Sequence, residues 1–156
     1  SLILSAKLNI LDTLIKNTKD RLIITEQVYS ECLAKEGSFD AKLIKQRVEQ
    51  KSIAKKEISN NALCNKIIND FNLGKGEAET IALCVELKFG MISEDKKALN
   101  ACRVLKIKFT TIPRLIVQFR KKGHLTASES NLIIRKMQKF GWYSEDIIKK
   151  LMEDIK

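Results

Sequence analysis

Between Leu73 and Asp95 the chain reads LGKGEAETIALCVELKFGMISED, and no other stretch constrains the fold as strongly. Gly74 and Gly76 break the chain before a helix over 77–89, which opens on an acid cluster, Glu77 and Glu79. The helix runs into a short apolar strand at 90–93. That strand ends directly on a second acid pair, Glu94 and Asp95. In a parallel α/β unit, helix starts and strand C-termini meet on one rim of the sheet. Carboxylates at those places can converge although they are far apart in sequence. Converging carboxylates repel one another unless a cation or a proton joins them, so the segment points toward a divalent metal.

The rest of the chain repeats the alternation. Leu4, Leu8, Leu11, Leu14 and Ile15 recur at helical spacing and predict one amphipathic helix over 2–17. A short buried strand follows at 21–24. Thr25 is suited to cap a helix over 26–36, with Val28, Cys32 and Leu33 inward, and Ser38 to cap another over 39–50. Ile53 and Ile58 bracket a weak strand, and Ser59 is placed to cap a helix over 60–71. After the strand at 90–93 come a helix over 95–104, a strand at 107–110, and a helix led by Pro113 and stopped by Gly123. Two helices, 127–139 and 144–155, close the chain on either side of Gly141. Short strands alternating with helices predict an α/β fold with a mostly parallel sheet. The chain opens on a helix, so the natural first strand of that sheet is expected upstream of Ser1. With no initiating methionine and no signal-peptide pattern, the start is read as truncated.

Charge is distributed unevenly. The chain of 156 residues carries a net +10. Residues 1–95 hold 14 Lys/Arg and 14 Asp/Glu, residues 96–128 hold nine bases and no acid, and residues 129–156 hold six bases and five acids. The excess therefore begins directly after the acid cluster. A basic field beside carboxylates suits the processing of a polyanion; the competing explanation is a generic lysine-rich surface. No apolar run approaches the ~18 residues of a membrane span. The four cysteines form no metal-type pair and are read as free, buried thiols, which fits a reducing cytosol. Serine-elbow, phosphate-loop and zinc motifs are absent. His124, after Gly123, is read as a surface histidine. Phe140, Trp142 and Tyr143 are read as an anchor for the last helix, with base stacking as the alternative.

Three acids stand out: Glu31, Glu77 and Asp95. Asp95 follows a strand end, where active sites of open α/β sheets lie, but an acid there also caps the next helix. Glu77 sits in a first helical turn, where an acid is favoured by the dipole alone. Glu79 points about 160° away from Glu77 on an ideal helix. Glu31 lies beside an apolar helix face, with a solvated helix glutamate as the plain alternative.

These residues carry a resemblance to the PIN-domain family, the fold of VapC-type toxin ribonucleases. GKGEAETIAL at 74–83 resembles the GxGEAExIAL motif of a stand-alone PIN subgroup, and ISED at 92–95 resembles the strand ending in T-x-D or D-D. VYSE at 28–31 is similar to the helix carrying the family's second acid, and residues 1–8 resemble the segment after its first strand. Glu77 and Asp95 are 18 residues apart (95 − 77), the separation of the third and fourth acids in many members. The family's first aspartate falls before Ser1 and is absent from this chain.

The resemblance implies a three-layer fold with a short-stranded, mostly parallel central sheet flanked by helices and lacking its first strand. It places a nuclease domain at 1–125, with C-terminal helices at 126–156 packing on that domain or in a dimer through Leu132, Ile133, Met137, Ile147, Ile148 and Leu151. It implies Mg²⁺ or Mn²⁺ held by Glu31, Glu77 and Asp95, with Ser93 adding a hydroxyl. Lys96, Lys97, Arg103, Arg114, Arg120, Lys121 and Lys122 would hold an RNA backbone. The activity implied is a metal-dependent, cytoplasmic endoribonuclease, in one version a toxin whose antitoxin blocks the acidic pocket. The alternative is a catalytically inactive PIN scaffold that binds RNA or protein. A basic DNA-binding regulator is a third reading; it lacks a helix-turn-helix placement and leaves Glu77 and Asp95 unexplained.

Overall fold

A computed structural model describes residues 1–18, 22–35, 37–139 and 143–155. Arg21 of the expected first strand, and Phe140, Gly141 and Trp142, lie outside the described residues. The single helix expected over 2–17 is instead two, α1 (Leu2–Lys7) and α2 (Leu11–Asn17). Asn9 parts them with a left-handed φ of +58°, and the Ile10 N–H donates to the Ser5 carbonyl at 2.9 Å. That bond closes a helix end, and asparagine tolerates the left-handed conformation better than most residues. The apolar spacing misleads because it survives the break: Leu4, Leu8, Ile10, Leu11 and Leu14 are all buried.

Strand β1 (Leu22–Ile24) leads to α3 (Glu26–Leu33), whose cap is the Thr25 hydroxyl accepting from the Val28 N–H at 3.3 Å. Ser38 caps α4 (Phe39–Glu49) in the same way, and β2 (Ile53–Lys55) follows. The next helix, α5 (Asn61–Phe71), is capped by Asn60 and not by Ser59. The Ser59 and Asn60 N–H groups both donate to the Glu86 carboxylate, which shifts the helix start by one residue. Helix α6 (Lys75–Leu87) starts earlier than expected. Gly74 is its cap, and Gly76 lies inside its first turn and does not break the chain. Then come β3 (Met91–Ile92), α7 (Lys96–Val104), β4 (Phe109–Thr110), α8 (Ile112–Lys121), α9 (Ala127–Lys139) and α10 (Glu145–Asp154). Gly123 ends α8 with a φ of +76°, a conformation that favours glycine.

All strand pairing is parallel, as expected, but it forms two ladders and not one sheet. Leu22, Ile23 and Ile24 of β1 stand opposite Ile53, Ala54 and Lys55 of β2; Met91 and Ile92 of β3 stand opposite Phe109 and Thr110 of β4. Among the described residues no strand joins the ladders, and a cavity of about 540 Å³ lies between β1 and the β3–β4 pair. In a parallel ladder, alternate residues turn their peptide groups to opposite edges. The Met91 and Ser93 N–H groups donate toward β4, and the Ile24 carbonyl accepts from Lys56 beside β2. Ile92 and Ile23 therefore turn their peptide groups to the edges that face the cavity. Ser1 and Leu2 line the same cavity, as the start of a helix.

Three apolar clusters flank the ladders. One joins α5, α6 and α7 through Ile67, Ile81, Ala98 and Cys102, with Met91 of β3. A second joins α1, α4, β1 and β2 through Ala6, Ile24, Ile44 and Ile53. The third holds the C-terminal helices: Ile133, Ile134, Met137, Ile148 and Leu151 bury against Leu8, Leu14, Ile112 and Ile116. Each such fully buried side chain contributes roughly 1.5–3 kcal/mol. Leu132 and Ile147 remain exposed. Among the described residues no helix is long and apolar enough to cross a membrane.

Candidate active site

Helix α3 packs on α6, and this contact brings Glu31 and Glu77 to the wall of the same cavity. The approach depends on two missing side chains. A Cβ on Gly76 would stand 2.8 Å from both carboxylate oxygens of Glu31. A Cβ on Gly74 would stand 2.7 Å from Oε2 of Glu77. Glycine lets each carboxylate lie directly against the first turn of α6. Glu31 accepts one hydrogen bond, from Gln27 Nε2 at 3.0 Å. Neither glutamate has an ion-pair partner among the described residues. Glu79 points elsewhere, as its helical angle predicts, and lies 3.8 Å from Lys75 Nζ.

The strand-end pair is held differently. Asp95 is the cap of α7: its Oδ1 accepts from the Ala98 N–H at 2.7 Å. Its side chain is not part of the cavity wall. Ser93 is buried and lines the cavity, and its hydroxyl oxygen accepts from the Asp95 N–H at 3.1 Å. Glu94 is half-buried. Its Oε1 accepts from the Ile112 N–H at 2.7 Å and its Oε2 from the Tyr143 hydroxyl at 2.6 Å. Glu31, Glu77 and Ser93 thus line one cavity, whereas Asp95 lies outside that lining and gives one oxygen to a helix start. Among the described residues no three acids, histidines or cysteines are grouped closely enough to hold a metal ion.

Burial pushes the Cys32 thiol up to about 11 and the Cys84 thiol up to about 11. All four cysteines are free and buried. Thiols held protonated in this way are poor nucleophiles and poor metal ligands. Two cavity residues escaped the sequence reading, Thr110 and Lys108. The Thr110 Oγ1 is buried without a hydrogen-bond partner among the described residues. Its position at the end of a strand parallel to β3 was the available signal.

None of the seven basic residues lines the cavity. Lys96, Lys97, Arg103, Arg114, Lys121 and Lys122 are exposed. Lys97 Nζ donates to the Asn72 carbonyl at 3.3 Å, and Arg103 lies over the Phe109 ring at 5.3 Å. Arg120 is half-buried, with its Nε buried and unpartnered among the described residues. Ile112, at the start of α8, lines the cavity. Lys121 and Lys122 lie about 14 Å further along that helix at 1.5 Å per residue. His124 is exposed and meets Phe119 edge-on, as a surface histidine should.

Short parallel strands with flanking helices define an α/β domain. A protein-family model described as a PIN domain matches residues 1–156, and the chain belongs to the PIN-domain family. PIN domains generally use divalent metal ions. No curated protein and no solved structure matches the chain.

Proposed function

We propose that this protein is a metal-dependent endoribonuclease that hydrolyses phosphodiester bonds of single-stranded or structured RNA. The observation that supports this most directly is the pairing of Glu31 and Glu77. Both carboxylates line one cavity, each laid against a bare glycine, and neither forms a salt bridge with a side chain among the described residues, so their oxygens are available to a cation. Their hard oxygen donors suit Mg²⁺ or Mn²⁺. Such an ion supplies Lewis-acid polarisation of the phosphate and a more acidic water. Glu31 and Glu77 would hold it. Ser93, Thr110 and Lys108 line the same cavity. Asp95 supports the site by starting α7, with its second oxygen free to act as an acceptor.

Exposed Arg114 and Lys96 would meet a phosphate backbone and position RNA without reading its sequence. The buried free thiols fit a cytoplasmic protein, and the exposed Leu132 and Ile147 fit a dimer contact. In the toxin version of this reading an antitoxin covers the acidic cavity. One observation favours the alternative of a non-catalytic PIN scaffold: Asp95 spends one oxygen on a cap, and no three-acid group forms among the described residues.

Cleavage of single-stranded RNA by the full-length protein with Mn²⁺ separates the two. Wild type should cleave, and Glu77→Gln should lose about 100-fold or more. Equal rates in both would remove Glu77 from the site. No cleavage by wild type would favour the scaffold.

A further inference from the structure

The strand-end acid Glu94 is gripped from outside the strands. Both of its oxygens are taken, one by the Ile112 N–H at the start of α8 and one by the hydroxyl of Tyr143, 49 residues away in the chain. At 2.6 Å the Tyr143 bond has the length of a charge-assisted O–H···O⁻ contact, roughly twice as strong as a neutral one. Burial, and then the bond to Glu94, raises the Tyr143 phenol well above its usual range, so it remains a donor at neutral pH. Tyr143 is itself held in place. It packs against the cluster in which Ile148 and Leu151 of α10 meet Ile112 and Leu115 of α8.

The grip continues along the backbone. Glu94 sits between Ser93 and Asp95 in the chain, so pinning it toward α8 and Tyr143 restrains the backbone of both neighbours. Ser93 then accepts from the Asp95 N–H, and Asp95 accepts from the Ala98 N–H. Three consecutive residues at the end of β3 are each fixed by a hydrogen bond, and the outermost anchor is Tyr143. We infer that Tyr143 is a positioning residue for the candidate site: through Glu94 it orders residues 93–95 and makes the C-terminal helices part of the site's scaffold. The catalytic consequence rests on the nuclease reading, whereas the ordering of 93–95 does not.

Tyr143→Phe in the full-length protein keeps the ring and removes the hydroxyl. Hydrogen exchange should accelerate about tenfold at the amides of 93–98 and of Ile112, with the rest of the chain unchanged. With Mn²⁺ and single-stranded RNA, kcat should fall about tenfold at unchanged KM. Glu94→Gln, which cannot accept both bonds, should reproduce the local exchange pattern if Tyr143→Phe fails to fold. Unchanged exchange at 93–98, or acceleration spread evenly over the chain, overturns the proposal. So does a wild-type kcat in a variant whose 93–98 amides exchange faster. If wild type itself does not cleave RNA, the nuclease reading fails, and the exchange data alone decide the role of Tyr143.

Discussion

The acid in the first turn of α6, Glu77, and the acid just past β3, Glu94, are built in opposite ways. Glu77 lines a cavity that Glu31 also lines, and has no ion-pair partner among the described residues. Glu94 gives both oxygens to the protein itself, to the Ile112 N–H and the Tyr143 hydroxyl, and its neighbour Asp95 gives one, to the Ala98 N–H. A carboxylate that accepts a backbone N–H at a helix start contributes about 1 kcal/mol to the fold. A carboxylate lying against a bare glycine makes no such bond there. The difference teaches that acids on one rim can differ in how many acceptor oxygens the fold leaves unused: none at Glu94, and one each at Asp95 and Glu31 among the described residues.

The comparison breaks most sharply at Gly76. Gly76→Ala puts a methyl 2.8 Å from both Glu31 oxygens, and the far end of that flexible side chain must move away. Alanine is also the better helix former, so stability should hold or rise by up to about 1 kcal/mol. Activity in the Mn²⁺ assay should nevertheless fall about 10- to 100-fold. Thermal melting beside cleavage checks this, and full activity would mean that the position of Glu31 is immaterial. A smaller effect is expected on the closed pair. Asp95→Ala should cost about 1 kcal/mol, a Tm loss of roughly 2–4 °C, whereas Asp95→Asn should keep the cap. Equal melting of the two variants would deny Asp95 its structural role.

Much of this was legible in the residues. The α/β alternation, the Thr25 and Ser38 caps, the parallel pairing and the turn of Glu79 away from the cavity all follow from local pattern. What escaped was long-range. Asn9 ends a helix whose apolar spacing runs straight through the break, so only the left-handed tolerance of asparagine signalled it. The cap of α5 moved to Asn60 because Glu86, distant in sequence, takes the Ser59 N–H. Gly76 looked like a chain breaker because nothing local shows that Glu31 would lie over it. Strand-end position favoured Asp95 over Glu94, but the contacts of both depend on α7, α8 and Tyr143, which no spacing rule reports. The two-ladder arrangement was likewise invisible strand by strand.

The central claim is that Glu31 and Glu77 form the open, cation-binding pair. Electron paramagnetic resonance titration of the full-length protein with Mn²⁺ tests it directly, with Glu79→Gln as the internal control two residues from Glu77. Wild type and Glu79→Gln should bind Mn²⁺ alike, and Glu77→Gln should bind at least about tenfold more weakly. Equal affinity in Glu77→Gln and wild type, or an equal loss in both variants, would contradict it.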